Sequence, residues 1–190
     1  MKENGFEYVD LGLPSGIMWA TCNVGVTKPE DSGLLFQFGR VDGYRYGDTN
    51  HKFRTNKQNI GKTYDKGETL DLIDDAAHVN MGGKWRMPTN DELEELLNNT
   101  THEVKTINDL KGMLFTSKIN NKQLFIPFMQ GYWYNGTWYS LDKSYASIWS
   151  SRVYCSVDDA YKLYCGSSCN AYVNNLRRSC AFSVRGVFKK

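Results

Sequence analysis

The sequence predicts an α+β fold, built of short antiparallel strands with about two helices and long irregular loops. Three observations carry this. Residues 88–97 hold the one strong helix signal, with a capping pattern and a shared apolar face. Residues 6–22 and 112–188 break into short alternating apolar runs separated by turn residues. Residues 40–70 are polar and rich in Gly, Asn and Lys, with thinly spread aromatics, and no periodicity organises them. Composition agrees: 190 residues, 41% hydrophobic and 23% charged, are enough for one domain with its own core. The mean hydropathy of −0.54 and the lack of a long apolar run argue against a membrane helix. Residues 1–5 carry no apolar stretch behind them, so no secretory signal is expected on this chain. A net charge of +2 speaks against a dedicated nucleic-acid binder.

Taken in order, residues 6–11 and 17–22 read as a hairpin around the turn Leu13-Pro14-Ser15-Gly16, with Cys22 as a small core residue. Residues 28–32 are a turn, and 34–39 a further apolar segment. Residues 70–79 fit a short helix stopped by Gly82-Gly83. Thr89 with Glu92 three residues on is a capping box, and Leu93, Leu96 and Leu97 share one face of the helix that follows. Its acids, Asp91, Glu92, Glu94 and Glu95, suit the positive end of the helix dipole better than a catalytic role. Asn98-Asn99 ends it. Strands are expected at 112–117 and 123–127 around Asn120-Asn121, and at 129–133 and 138–141 around Asn135-Gly136. Four more follow, at 145–151, 160–164, 171–174 and 182–188. Arg185, inside the last, is expected to bind carbonyls or an ion-pair partner.

The five cysteines are unevenly placed: Cys22 alone, then Cys155, Cys165, Cys169 and Cys180 within 26 residues. No C-x-x-C pair occurs and no histidine follows His102, which argues against structural zinc. No metal or other cofactor is expected, and neither is a thiol nucleophile without a local histidine.

Three blocks resemble a known family. They are residues 9–16 with 19–25, residues 82–89 followed by Glu92-Leu93, and residues 148–151 with 182–187. Together they resemble the major-paralogous-domain proteins of gut anaerobes, over roughly residues 7–188. The resemblance implies a C-type lectin fold over residues 1–190, related to that of formylglycine-generating enzymes.

Residues 150–181 use a restricted alphabet. Ser, Cys, Tyr, Asn and Arg dominate these 32 positions, whereas Glu, Gln, Met and Trp are absent and Lys162 is the single lysine. Elsewhere Glu, Gln, Lys, Met and Trp make up 37 of 158 residues, a rate that would place about seven in the segment. Every residue type here except Lys has a codon ending in a pyrimidine. Mutation of Asn codons at their adenines alone would yield this set without stop codons. That pattern is similar to the variable region of diversity-generating-retroelement targets, whose best-known members are phage tropism determinants with this fold. The resemblance implies a variable ligand-binding segment at 150–181, no catalysis, and a protein or glycan partner on a cell surface. It further implies a place on a virion tail tip or bacterial surface, and leaves oligomeric state open. Candidate variable positions are Arg152, Tyr154, Cys155, Ser156, Asp158, Asp159, Tyr164, Cys165, Ser167, Ser168, Cys169, Asn170, Asn174, Asn175, Leu176, Arg177, Ser179 and Cys180. Candidate fixed positions are Trp149, Ser150, Ser151, Ala160, Tyr161, Leu163 and Val173, and Lys162 departs from the pattern.

Such a surface is paratope-like, with Tyr154, Tyr164, Arg152 and Arg177 as expected anchors. Residues 150–190 hold seven basic and two acidic side chains, so an anionic glycan or acidic protein would be favoured. Two other readings compete. A formylglycine-generating-type oxidase would use Cys165 and Cys169. A surface adhesin would use the same fold without diversification. Calcium-dependent sugar binding is disfavoured, because Asp158-Asp159 offer too few oxygens.

Overall fold

The computed structural model describes residues 1–55 and 62–190. The stretch 56–61, inside the long excursion, lies outside the described residues. The architecture is mixed α+β, with two helices and three mainly antiparallel sheets among the described residues.

The first sheet runs β1-β2-β3-β14, from Lys2–Glu3, Phe6–Val9, Ile17–Asn23 and Arg185–Lys189. The expected N-terminal hairpin is present, pairing Tyr8 with Ala20 and Val9 with Trp19. Cys22 departs from its expected role. It lies beyond the last β2–β3 pair and is half-buried, along a groove with Lys2, Phe6, Thr21 and Met81. Three short elements follow: β4 (Leu35–Gln37), a 3-10 turn at Leu72–Asp74 and α1 (Ala76–Met81). Asp75 splits the expected single helix into these last two. It is 2% exposed and accepts from the backbone N–H of His78 and of Met87, at 2.9 and 2.8 Å. Gly82 and Gly83 take φ of 67° and 59° to turn the chain into Trp85 and Met87, both buried.

Helix α2 (Asn90–Asn99) forms as its sequence dictates. The Thr89 hydroxyl accepts from the Glu92 N–H, and Glu92 accepts from the Thr89 N–H. Glu92 also takes a bidentate pair from Arg86, at 2.5 and 2.7 Å. The helix runs straight into β5 (Thr100–Ile107), a strand the sequence reading leaves unassigned. It joins β6 (Leu110–Ser117) and β7 (Gln123–Pro127) in the second sheet, order β5-β6-β7.

The third sheet adds β8 (Gly131–Tyr134), β9 (Thr137–Ser140), β10 (Tyr145–Val153), β11 (Asp159–Gly166), β12 (Asn170–Arg177) and β13 (Ala181–Ser183). Its order is β12-β11-β10-β13-β8-β9, with β4 also on β13. The strand expected at 182–188 is thus two strands in two sheets. Val184 is the crossing point, its carbonyl accepting from the Val24 N–H at 2.9 Å. Arg185 fixes the crossing. Wholly buried, it donates to Asn23 Oδ1, the Ala20 carbonyl and the Phe125 carbonyl at 2.8, 3.0 and 3.1 Å. Those acceptors tie β14 to β3 and β7 without a carboxylate.

Two cores result. One gathers Leu93 and Leu96 of α2 with Trp19, Phe115, Ile148, Leu163 and Val187. The other gathers Phe36, Phe38, Trp85, Trp133, Trp149 and Phe182. The excursion contributes to the second: Phe53 and Tyr64 are buried there, and His51 and Phe53 pack on Trp133 and Trp138.

Candidate ligand-binding face

The restricted segment folds into the end of β10, a loop at 154–158, and the hairpin β11–β12 at one edge of the large sheet. Residues paired across an antiparallel ladder share a face. One face therefore carries Ala160 with Leu176, Lys162 with Asn174, Tyr164 with Tyr172, and Gly166 with Asn170. The opposite face carries Asp159 with Arg177, Tyr161 with Asn175, Leu163 with Val173, and Cys165 with Ala171. Helix α2 packs on this second face through Leu93 and Leu96, which buries Leu163 and Cys165.

The eighteen candidates consequently divide. Cys165, Ser179 and Cys180 are 0%, 1% and 2% exposed, so they are interior residues that no ligand can reach. Burial pushes the Cys180 thiol up to about 12 and raises Cys165 as well. Cys165 points into the core while Cys169 stands at the exposed hairpin tip, so the fold does not present them as a joint surface pair. Among the described residues, no group of three His, Cys, Asp or Glu is placed to hold a metal ion.

The other fifteen are exposed or half-buried and form three groups. Around the 154–158 loop, Arg177 pairs with Asp158 at 3.1 Å and approaches Asp159 at 3.7 Å. Tyr154 meets Tyr161 edge-on with centroids 4.9 Å apart. Arg152 donates to the Gly67 carbonyl at 2.8 Å and reaches Asp91 at 3.4 Å. Arg152, Tyr154 and Tyr161 line an open cavity of about 370 Å³ together with Lys66, Asn90 and Cys155. Ser156 extends the loop. At the far end of the hairpin, Ser167, Ser168, Cys169 and Asn170 form the exposed turn. Cys169 holds φ of 60°, a left-handed conformation that Gly and Asn adopt far more readily.

The third group lies on the outer face. Tyr164 and Tyr172 stack with centroids 4.9 Å apart, beside Asn174 and Leu176, and Tyr145 of β10 packs on Tyr164 at 5.2 Å. Asn175 sits on the reverse side with Tyr161. Two residues of this region escaped the sequence reading. Tyr172 is 44% exposed, and Val157 is exposed at the loop tip. Alternation with Asn170 and Asn174 marks Tyr172 as outward-facing.

Lys162 has a structural explanation. It is 4% exposed and donates to Ser147 Oγ at 3.1 Å, with its ammonium over the rings of Tyr164 (5.2 Å) and Phe182 (5.4 Å). Burial lowers its pKa from the ordinary 10.5 to about 8. Burial likewise raises the phenols of Tyr132, Tyr145 and Tyr164. Comparisons with protein-family models, with curated proteins and with solved structures gave no match.

Proposed function

We propose that this chain is a ligand- or receptor-binding protein with a C-type lectin fold. Its binding surface is the β11–β12 hairpin with the 154–158 loop, and the exposed residues there are diversified to change specificity. The partner is a protein or glycan on a cell surface, and the chain acts at a virion tail tip or a bacterial surface without catalysing a reaction. The observation that supports this most is Cys169. A hairpin position with left-handed backbone is normally filled by Gly or Asn, and the thiol's one contact there is a weak hydrogen bond to the His102 carbonyl at 3.5 Å. An Asn codon altered only at its adenines accounts for a cysteine in a place suited to asparagine. The fifteen accessible candidates add support, since the restricted alphabet falls mainly on solvent-facing positions. Lys162, the residue outside that alphabet, is interior, as a fixed position should be.

The test is genetic. Sequencing around the gene should find a near-identical repeat of the segment that differs only at adenines, next to a reverse transcriptase gene. A locus holding neither sinks the diversified reading. At the protein level, exchanging the accessible hairpin residues for those of another copy should transfer ligand preference while thermal stability stays within a few degrees.

A further inference from the structure

β12 stands at the end of the order β12-β11-β10-β13-β8-β9 and pairs with β11 alone. Its ladder fixes which backbone groups point outward. The Arg178 N–H donates to the Asp158 carbonyl at 2.8 Å, in register with the pair Ala160–Leu176. Bonded pairs recur at every second residue of an antiparallel ladder, so Tyr172, Asn174 and Leu176 turn their N–H and C=O groups toward β11. Ala171, Val173 and Asn175 turn theirs away, and among the described residues no donor or acceptor meets them. The edge also lacks the devices that normally close one. It is eight residues long, its register is unbroken, it holds neither Pro nor Lys, and its single charge is Arg177 at the end. The opposite edge, β9, has four residues.

Beside this edge a core reaches the surface. Leu97 of α2, Val104 of β5, Ala171 and Val173 are half-buried against the cluster of Leu93, Leu96 and Leu163. They gather where α2 runs into β5 next to the hairpin tip, a junction marked by the Cys169 thiol 3.5 Å from the His102 carbonyl. A strand added to β12 would lay alternate side chains over Leu97 and Val104. The other end of the edge is acidic. Glu94, one helix turn before Leu97, is exposed and has no ion-pair partner among the described residues. Near it Asp91, Asp158 and Asp159 outnumber Arg152 and Arg177. Lys162, Arg178 and Arg185 are interior, so the basic side chains counted in residues 150–190 overstate the positive charge at this edge.

We propose that β12 binds an extended polypeptide segment of the partner as an added strand. Apolar side chains of that segment cover Leu97 and Val104, and a basic one faces Glu94. The proposal rests on the binding role given above and narrows the partner to a protein that offers an unpaired strand or an extended segment. A backbone edge suits a diversified surface. Its hydrogen bonds survive any exchange of side chains, while Tyr172, Asn174 and Leu176 select among partners. A second copy of this chain fits less well. A two-fold contact of β12 with β12 would set variable side chains against themselves, so every exchange would have to remain self-complementary.

The experiment measures binding of the whole protein, by fluorescence anisotropy, to a set of capped seven-residue peptides. Thr alternates with three inward residues: two drawn from Val, Leu and Phe, and a Lys at either end. Each peptide is also made N-methylated at one alternate set of amides or at the other, which keeps every side chain. Methylation of the set facing β12 should weaken binding about tenfold or more, and methylation of the other set less than about threefold. Val173→Pro removes an outward N–H and leaves the β11 ladder intact, so it should weaken every peptide about fivefold or more. If that variant does not fold, the methylated pairs decide alone. Replacing the peptide's Lys by Gln should cost about threefold, a difference that Glu94→Gln should erase. The proposal falls if no peptide of the set binds, or if the two methylated sets bind alike. It falls too if sedimentation shows the protein alone to be a dimer that Val173→Pro dissociates, which makes a second copy the occupant. Any of these results, with ligand preference still transferred by hairpin exchange, would overturn the added strand and leave the binding role standing.

Discussion

Replacing Lys162 by Met should make the protein more stable, although it deletes a hydrogen bond. The ammonium is 4% exposed, and its folded pKa of about 8 compares with the ordinary 10.5. That difference corresponds to roughly 3 kcal/mol against folding wherever both states are protonated, as at pH 7. The two ring contacts return about 0.5–2 kcal/mol, so Lys162→Met should gain about 1–3 kcal/mol. The sign has a pH signature. As pH rises through 8, the folded lysine releases its proton while the unfolded one keeps it until 10.5. The unfolded state then binds more protons, and the lysine's penalty shrinks. The stability gap between variant and wild type should narrow by about 2 kcal/mol from pH 7 to pH 10. The raised tyrosines favour unfolding in the same range in both chains alike, whereas the Cys165 and Cys180 thiols are held down by the Lys162 charge and so shift in the variant, a smaller contribution than that of the lysine itself. Urea unfolding followed by tryptophan fluorescence, at pH 7, 8, 9 and 10, measures the gap. A variant less stable than wild type at pH 7, or a gap that holds constant with pH, would refute the reasoning.

Three more outcomes are expected. In the native protein a thiol reagent should modify Cys155 and Cys169 quickly and Cys22 more slowly, with Cys165 and Cys180 reacting only on unfolding; mass mapping of the labelled peptides reads this directly. Cys169→Asn should raise stability by about 0.5–1 kcal/mol by relieving the left-handed backbone, and Cys169→Val should lower it, both read by thermal melts. Arg185→Met removes the side-chain donor from two core carbonyls and from Asn23 Oδ1, so it should cost about 3 kcal/mol or more and yield little soluble protein.

Local chemistry made much of this fold readable. Thr89 and Glu92 name a helix start because the capping box is a four-residue pattern. Asn135 and Gly136, with φ of 48° and 101°, name a hairpin because few residues tolerate those angles. What stayed hidden is decided by distant partners. The β5 strand was missed because its alternation is weak, with only Val104 strongly apolar among its inward positions. The split at Val184 is invisible to a period-two pattern, which runs on unchanged while the strand passes from one sheet to another. The buried candidates Cys165, Ser179 and Cys180 show a different limit. An alphabet records which codons are present, whereas burial depends on which side of a strand a residue occupies. Neighbours such as Tyr164 and Cys165 cannot both face water in a flat strand.

The placement of β13 and β14 has a consequence for how sequence variants are screened. β13 lies between β10 and β8 and also binds β4, while β14 closes the first sheet against β3. Both follow the hairpin in the chain. A copy that ends early, or shifts frame anywhere in residues 150–180, therefore lacks the strands that cover Phe36, Trp133 and Trp149. It would expose apolar surface and be removed by proteases. Residues 181–189 so act as a checksum: a stable product reports that the reading frame through the hairpin is intact, whatever side chains the hairpin displays.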